Sequence, residues 1–207
     1  MPSKYANDYA QSDFWSKKAF TAGYPARSVW KLEEIDKKFS FIPKNCSALD
    51  LGSAPGSWTL YLLKTGAARV VSCDLNKLAK NITSNSLIFI QGDLNDTGVR
   101  EKIKSFSPYD IVVCDAAPST TGNRTVDTAR SEQLVEMALW YAGTMLKDGG
   151  NFAVKIFQSG KQQELLKKMR SLFTLAKGFK PEACRTESFE TYFIGIGKKI
   201  AIRSDLR

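Results

Sequence analysis

Three aspartates and a lysine, each at or near the end of an apolar run, are the side chains of this sequence that could do chemistry together. Asp74 closes Val70-Val71-Ser72-Cys73, Asp93 follows Leu87–Gln91 and Gly92, and Asp115 follows Ile111-Val112-Val113-Cys114. Lys155 sits inside Phe152-Ala153-Val154-Lys155-Ile156-Phe157. Upstream of them, Ala48-Leu49-Asp50-Leu51 breaks into Gly52-Ser53-Ala54-Pro55-Gly56-Ser57-Trp58. A buried strand running into a glycine-rich turn and then a helix is how an open α/β sheet builds a nucleotide pocket. The glycines free the backbone for a tight turn and close ligand approach, and the helix start offers unpaired N–H groups. The G-x-x-x-G spacing is neither the dinucleotide G-x-G-x-x-G nor a P-loop, so it fits a nucleoside without a pyrophosphate. Asp74, at the next strand end, stands where a carboxylate accepts both hydroxyls of a ribose, and Asp93 is placed to meet a base or its exocyclic amine. One aspartate after a strand also serves as a helix cap or turn former; three at successive strand ends ask for more. An ammonium in an apolar strand, as at Lys155, needs a partner or a function unless it snorkels to water. The chain has no histidine, so proton chemistry near neutral pH falls to Lys, Asp, Glu, Tyr or Cys.

The elements that position these residues alternate. Val29, Leu32, Ile35 and Phe39 recur at helical spacing within 26–39, with Lys31, Glu34 and Lys38 on the polar side. Strands are predicted at Ser47–Leu51, Arg69–Asp74, Leu87–Gln91, Asp110–Cys114, Asn151–Ile156, Thr174–Lys180 and Tyr192–Gly197. Helices are predicted at Ser57–Lys64, Val99–Ser105, Ser131–Leu146 and Gln162–Phe173, the third stopped by Gly149-Gly150. The pattern implies an α/β fold: a mainly parallel sheet with helices on both faces. The short segment Pro181–Thr191 cannot hold a helical crossover, so the last two strands pair antiparallel. Residues 1–23 show no clean period and read as a partly ordered arm, so 1–207 is expected to be one domain with 1–40 as an N-terminal arm and helix.

Composition narrows the class. Lys+Arg 30 against Asp+Glu 21 gives a net charge of +9, a balance that favours a polyanionic partner such as nucleic acid. Lys161, Lys167, Lys168, Arg170, Lys177 and Lys180 outweigh Glu164 over one stretch, and Arg27, Lys37 and Lys38 add a second patch. No apolar run approaches the ~18 residues of a membrane span, and Met1–Lys18 lacks a signal-peptide core, so a cytoplasmic location is expected. Cys46, Cys73, Cys114 and Cys184 form no C-x-x-C pair, and with no histidine a zinc site is not expected.

Together these residues resemble the FtsJ/RrmJ family of S-adenosylmethionine-dependent RNA ribose 2′-O-methyltransferases, over about Tyr24 to Lys198. Asp50-Leu51-Gly52-Ser53-Ala54-Pro55-Gly56-Ser57-Trp58 resembles its cofactor loop, Val113-Cys114-Asp115-Ala116-Ala117-Pro118 its fourth-strand motif, and Ser188-Phe189-Glu190-Thr191-Tyr192 its terminal S-x-E-x-Y. The resemblance implies a Rossmann-like class I methyltransferase with a seven-stranded, mostly parallel sheet and one antiparallel strand. It implies a catalytic Lys-Asp-Lys-Glu tetrad at Lys31, Asp115, Lys155 and Glu190. It further implies S-adenosylmethionine contacts among Gly52, Ser53, Ala54, Pro55, Gly56, Trp58, Asp74, Asp93, Leu94 and Asp115, with no metal. Pro25 and Ala26 depart from the arginine-rich run usual before the first lysine.

The implied reaction is methylation of a ribose 2′-hydroxyl, with a uridine of large-subunit (23S-type) ribosomal RNA as the expected target. A transfer-RNA or cap methyltransferase, or a non-catalytic RNA-binding ribosome-assembly protein, are the alternatives. RNA is the expected partner, with no DNA or membrane, and the chain is expected to act as a monomer. Lys155 is either the base or the group that orients the hydroxyl. Burial and Lys31 favour its neutral form, and Asp115 and Glu190 favour its charged form.

Overall fold

Side chains alternate across a strand, and here the alternation sorts the core onto two faces of one sheet. The computed structural model describes residues 14–118, 121–158, 161–185 and 188–200. Its strands are β1 (Ser47–Leu51), β2 (Arg69–Asp74), β3 (Leu87–Gln91), β4 (Tyr109–Cys114), β5 (Leu146–Phe157), β6 (Phe173–Phe179) and β7 (Glu190–Lys198). Its helices are α1 (14–21), α2 (Val29–Phe39), α3 (Ser57–Lys64), α4 (Thr97–Lys104), α5 (Arg124–Met145) and α6 (Gln162–Leu172). Leu49, Leu51, Val112, Cys114, Phe152 and Val154 pack with Ile103, Val135, Ala138, Leu165 and Met169 of α4, α5 and α6. The intervening Ala48, Ile111, Val113 and Ala153 pack with Leu32, Ile35, Trp58 and Leu62 of α2 and α3.

The sheet order is β3-β2-β1-β4-β5-β7-β6. Strands β1 to β5 run parallel, and β7 inserts antiparallel between β5 and β6. The expected mostly parallel sheet with one antiparallel strand is therefore present. The order reverses between β1 and β4, which makes the carboxyl ends of these two strands the switch point where open α/β sheets bind ligands. Continuing the same alternation past β4 puts Asp115 on the α2/α3 side with Ile111 and Val113. Lys155 follows Ala153 to that side, and β5–β7 pairing sets Lys155 against Tyr192 and Phe157 against Glu190.

Several boundaries differ from the sequence reading. Helix α5 starts seven residues earlier than Ser131, because the Asn123 side chain accepts the N–H groups of Thr125 and Val126. It ends before the glycines, which belong to β5. A side chain at Gly150 would meet the Asp110 carbonyl oxygen at 2.8 Å, so the glycine permits the irregular join where β4–β5 pairing skips from Tyr109↔Leu146 to Ile111↔Asn151. Within the N-terminal arm, residues 14–21 are helical; the Trp30 indole donates to the Trp15 carbonyl at 3.0 Å and Ala19 is buried. Residues 1–13 of that arm lie outside the described residues. The Lys31 side of α2 is partly covered: Lys31 is buried, the half-buried Glu34 accepts the N–H groups of Glu182 and Ala183, and the exposed Lys38 lies over the Phe179 ring. That stripe receives the connection between β6 and β7.

Glycine 52 carries the switch point. Its φ is +70°, and an added Cβ would fall 2.5 Å from the Ala116 Cβ and 2.9 Å from the Ala116 Cα, so β1 and β4 meet there backbone to backbone. Gly52→Ala is expected to lower stability by roughly 2–4 kcal/mol, combining left-handed strain and overpacking. Gly143→Ala, in α5 with open space around the new methyl, is expected to raise it by up to about 1 kcal/mol. Urea unfolding of both variants checks this; equal stability of Gly52→Ala and the parent would contradict it.

Candidate functional site

At the carboxyl ends of β4, β5 and the amino end of β7, four charged side chains and a tyrosine close into one network. Lys155 Nζ donates to the Asp115 carbonyl oxygen at 2.6 Å and stands 3.1 Å from Asp115 Oδ1. The Tyr192 hydroxyl donates to the same Oδ1 at 2.6 Å. Lys31 Nζ reaches Glu190 Oε1 at 2.6 Å and lies 5.9 Å from the Tyr192 ring centre. Burial would raise the Asp115 carboxyl, but Lys155, Lys31 and the Tyr192 hydroxyl outweigh it and hold it below its ordinary value. Burial would lower the Lys31 ammonium, but Asp115 and Glu190 outweigh it and raise it. Burial, then Asp115 and Glu190, push the Tyr192 hydroxyl well above its ordinary value, so it stays a donor.

Helix α2 delivers Lys31 because the segment before it is tied down on α3. The Ser57 hydroxyl donates to the Ala26 carbonyl at 3.0 Å and the Trp58 indole to the Ser28 carbonyl at 2.8 Å. The Trp58 ring also packs on Tyr192, 5.8 Å centre to centre. Arg27 donates to the Ala183 carbonyl at 2.6 Å, adding to the Glu34 bonds that anchor the β6–β7 connection on α2.

Beside this network lies a cavity of about 500 Å³. Gly52, Ala54 and Pro55 form one wall, Asp115, Ala116, Ala117 and Lys155 a second, and Asp74 to Asn76 with Gly92 to Asn95 a third; Leu134 and Met137 add an apolar patch from α5 and Ser28 the rim. Asp74 and Asp93 open identical Asp-Leu-Asn turns: in each, the aspartate Oδ1 accepts the N–H of the asparagine two residues on, at 2.7 and 2.8 Å. Asp74 Oδ2 also accepts the Ala54 N–H at 2.9 Å, which joins the glycine-rich loop to the end of β2. Lys155 and Asp115 belong both to the charged network and to the cavity wall. A buried acceptor or donor for a small polar ligand, one side fixed by charges, is what this arrangement provides.

The FtsJ-like methyltransferase model matches residues 24–198. The chain is 55% identical to the ribosomal RNA large subunit methyltransferase E of Treponema denticola, covering 93% of this chain and 98% of that protein. It is 46% identical to the protein of the same name from Borrelia duttonii, covering 90% and 96%. A solved Plasmodium falciparum structure described as a ribosomal RNA methyltransferase superposes with a TM-score of 0.73 at 24% identity, covering 84% and 98%, a likeness of fold. The chain belongs to the FtsJ-like methyltransferase family.

In this family member Lys31, Asp115, Lys155 and Glu190 come together as one cluster. Of the residues expected at a cofactor, Gly52, Ala54, Pro55, Asp74, Asp93, Leu94 and Asp115 line the cavity. Trp58, Gly56 and Ser53 are placed differently. Trp58 is 2% exposed, spent on Ser28 and Tyr192. Gly56 caps α3 with φ 110°, and its missing side chain makes room for Ile82, whose Cδ1 would lie 2.2 Å from a Cβ; protein, not ligand, fills that space. Ser53 is buried, with its hydroxyl unpartnered among the described residues. In the basic stretch Lys168 pairs with Glu136 at 2.9 Å and Lys161 reaches Glu132 at 3.6 Å, both lysines remaining exposed. Sequence reasoning missed Asn76, Asn95 and Tyr192 as site residues, although the repeated Asp-Leu-Asn was a readable signal. Leu134 and Met137 of α5 carry no local signal that sets them apart from the core residues around them.

Under the glycine-rich loop, Asp50 is buried on the α3 side, accepting the Thr59 hydroxyl on Oδ2 at 2.7 Å, with Thr59 2.8 Å from the Ser72 hydroxyl. Its Oδ1 has no partner among the described residues. Burial pushes this carboxyl up to about 7, the Thr59 bond opposing and the Asp115 and Asp74 charges adding to it. An acid raised on folding binds more protons folded than unfolded, so stability falls as pH rises from its ordinary 3.8 through about 7 and is level above. The full penalty is on the order of 4 kcal/mol. Asp50→Asn removes the titration, so between pH 5 and pH 8 the variant is expected to lose clearly less stability than the parent in urea unfolding; parallel pH dependence in the two would contradict this.

Proposed function

We propose that this chain is an S-adenosylmethionine-dependent 2′-O-ribose methyltransferase acting on a uridine of large-subunit ribosomal RNA in the cytoplasm. The observation that carries the reading is that Lys155 and Asp115 are shared: they line a nucleoside-sized cavity on one side and join Lys31, Glu190 and Tyr192 on the other. The names of the curated relatives supply the substrate class. Among the described residues no helix is long and apolar enough to cross a membrane.

The residues present fit the cofactor. The cavity lies within the roughly 300–1,000 Å³ of small-molecule sites, Asp74 is already oriented by the Ala54 and Asn76 N–H groups, and its remaining lone pairs suit ribose hydroxyls. Asp93 suits an exocyclic amine, with Leu94, Leu134 and Met137 as apolar walls for a base. When bound, S-adenosylmethionine supplies a methyl group activated by its own sulfonium charge.

Lys155 is then a positioning group. Two of its N–H directions go to the carbonyl and carboxylate of Asp115, which leaves one to hold the acceptor hydroxyl oxygen against the cavity. Orientation of this kind contributes several kcal/mol to a displacement. Asp115, held low, and Tyr192, held protonated, are both poor bases, so the hydroxyl proton passes to water as the new bond forms. Lys31 and Glu190 fix the approach of the ribose from the other side.

The test is transfer of tritium from methyl-labelled S-adenosylmethionine to unmodified large ribosomal subunits, free ribosomal RNA and transfer RNA. Label is expected in large-subunit RNA, surviving alkaline hydrolysis within a dinucleotide, because a 2′-O-methyl group blocks cleavage there. Label confined to transfer RNA would overturn the substrate assignment. No label in any RNA would favour an RNA-binding assembly protein.

A further inference from the structure

The two Asp-Leu-Asn turns are alike in sequence and in their aspartate–asparagine bonds, yet the fold treats them differently. Leu75, in the turn after β2, is 64% exposed. Leu94, in the turn after β3, is buried, and its carbonyl accepts from two side chains: the Tyr141 hydroxyl at 2.9 Å and Arg100 Nε at 3.1 Å. Arg100 Nη2 also reaches Asn95 Oδ1 at 3.3 Å, and Asn95 donates both its N–H and its Nδ2 to Asp93 Oδ1 at 2.8 and 3.2 Å. The guanidinium is covered by the Trp140 ring, 4.6 Å from its centre, which accounts for an indole left 42% exposed on α5. Burial pushes the Tyr141 hydroxyl up to about 12, with Cys73 adding and Arg100 opposing, so it remains a donor. The Leu75 carbonyl accepts from one neutral side chain, Gln91 Nε2 at 2.9 Å; a carbonyl accepting two donors, one from a stacked cation, is fixed more firmly.

We propose that Arg100 and Tyr141, with Trp140 stacked on Arg100, are positioning residues that lock the Asp93-Leu94-Asn95 turn and thereby set the enzyme's preference for an adenine base in its cofactor. The inference rests on the cofactor reading of the cavity. Asp93 accepts hydrogen bonds only, so it distinguishes an exocyclic amine from a carbonyl only while its oxygens stay in place. A loosened turn swings away from the wrong base at little cost, and discrimination drops.

The experiment is isothermal titration of the full chain with S-adenosylhomocysteine and with S-inosylhomocysteine, in which a carbonyl replaces the 6-amino group. The parent is expected to prefer the adenosyl compound by at least tenfold. Arg100→Gln is expected to reduce the ratio to within about threefold, chiefly by weakening adenosyl binding about tenfold. Tyr141→Phe, which removes a single hydroxyl and should fold even where Arg100→Gln does not, is expected to fall between. General loosening of the protein would weaken both ligands alike and leave the ratio unchanged; an unchanged ratio in both variants therefore overturns the proposal. A parent that binds neither compound would overturn the cofactor reading itself, which is a separate result.

Discussion

The carboxylate of Asp115 stands between two lysines and a tyrosine at the end of β4, and the rest of the site depends on its staying ionised. Its oxygen accepts from Tyr192 and faces Lys155, and its charge reaches Lys31. Were it neutral, two ammonium groups would share a largely buried space with only Glu190 to balance them, a costly arrangement in a low dielectric. The sheet makes the cluster possible. Parallel β4 and β5 place Asp115 and Lys155 at neighbouring strand ends, and antiparallel β7 then turns Tyr192 and Glu190 toward the same face.

Lys31 has to come from outside the sheet, and the glycine-rich loop brings it. Ser57 and Trp58 follow the loop directly, and both hold the segment that leads into α2. One stretch of sequence thus builds a cavity wall with its first half and fixes the N-terminal helix with its second. Along α2, residues 31, 34 and 38 contact Glu190, the Glu182–Ala183 backbone and Phe179 in turn, a one-sided stripe at helical spacing. Lys31 and its glutamate partner are therefore brought together by two anchors, α3 below α2 and the β6–β7 connection beside it.

Much of this was legible in the residues. Apolar runs ending in Asp74, Asp93 and Asp115 located the strand ends, and the short Pro181–Thr191 connection implied the antiparallel strand. Lys155 announced itself as a charge in an apolar run. What stayed hidden depended on tertiary contacts that leave no local pattern. Trp58 looks the same in sequence whether it faces a ligand or Tyr192, and Gly56 the same whether a cofactor or Ile82 fills the space beside it. Lys31 fell on the polar side of α2 because helical period reports amphipathicity, not which polar face another segment will cover. The α5 start was missed because its signal is a single capping asparagine. The Asp-Leu-Asn repeat could have been read, but the difference between its two copies could not: it comes from Arg100, Trp140 and Tyr141 on two helices.

Carbon-13 NMR of the protein labelled at the aspartate carboxyl carbons tests the electrostatic account most directly, with Asp115→Asn assigning the resonance. The Asp115 signal is expected to remain that of an ionised carboxylate at every pH above its ordinary value of 3.8 and to titrate only below it. An inflection above that value would mean that burial outweighs the two lysines, and the charged network described here would not exist in the folded protein.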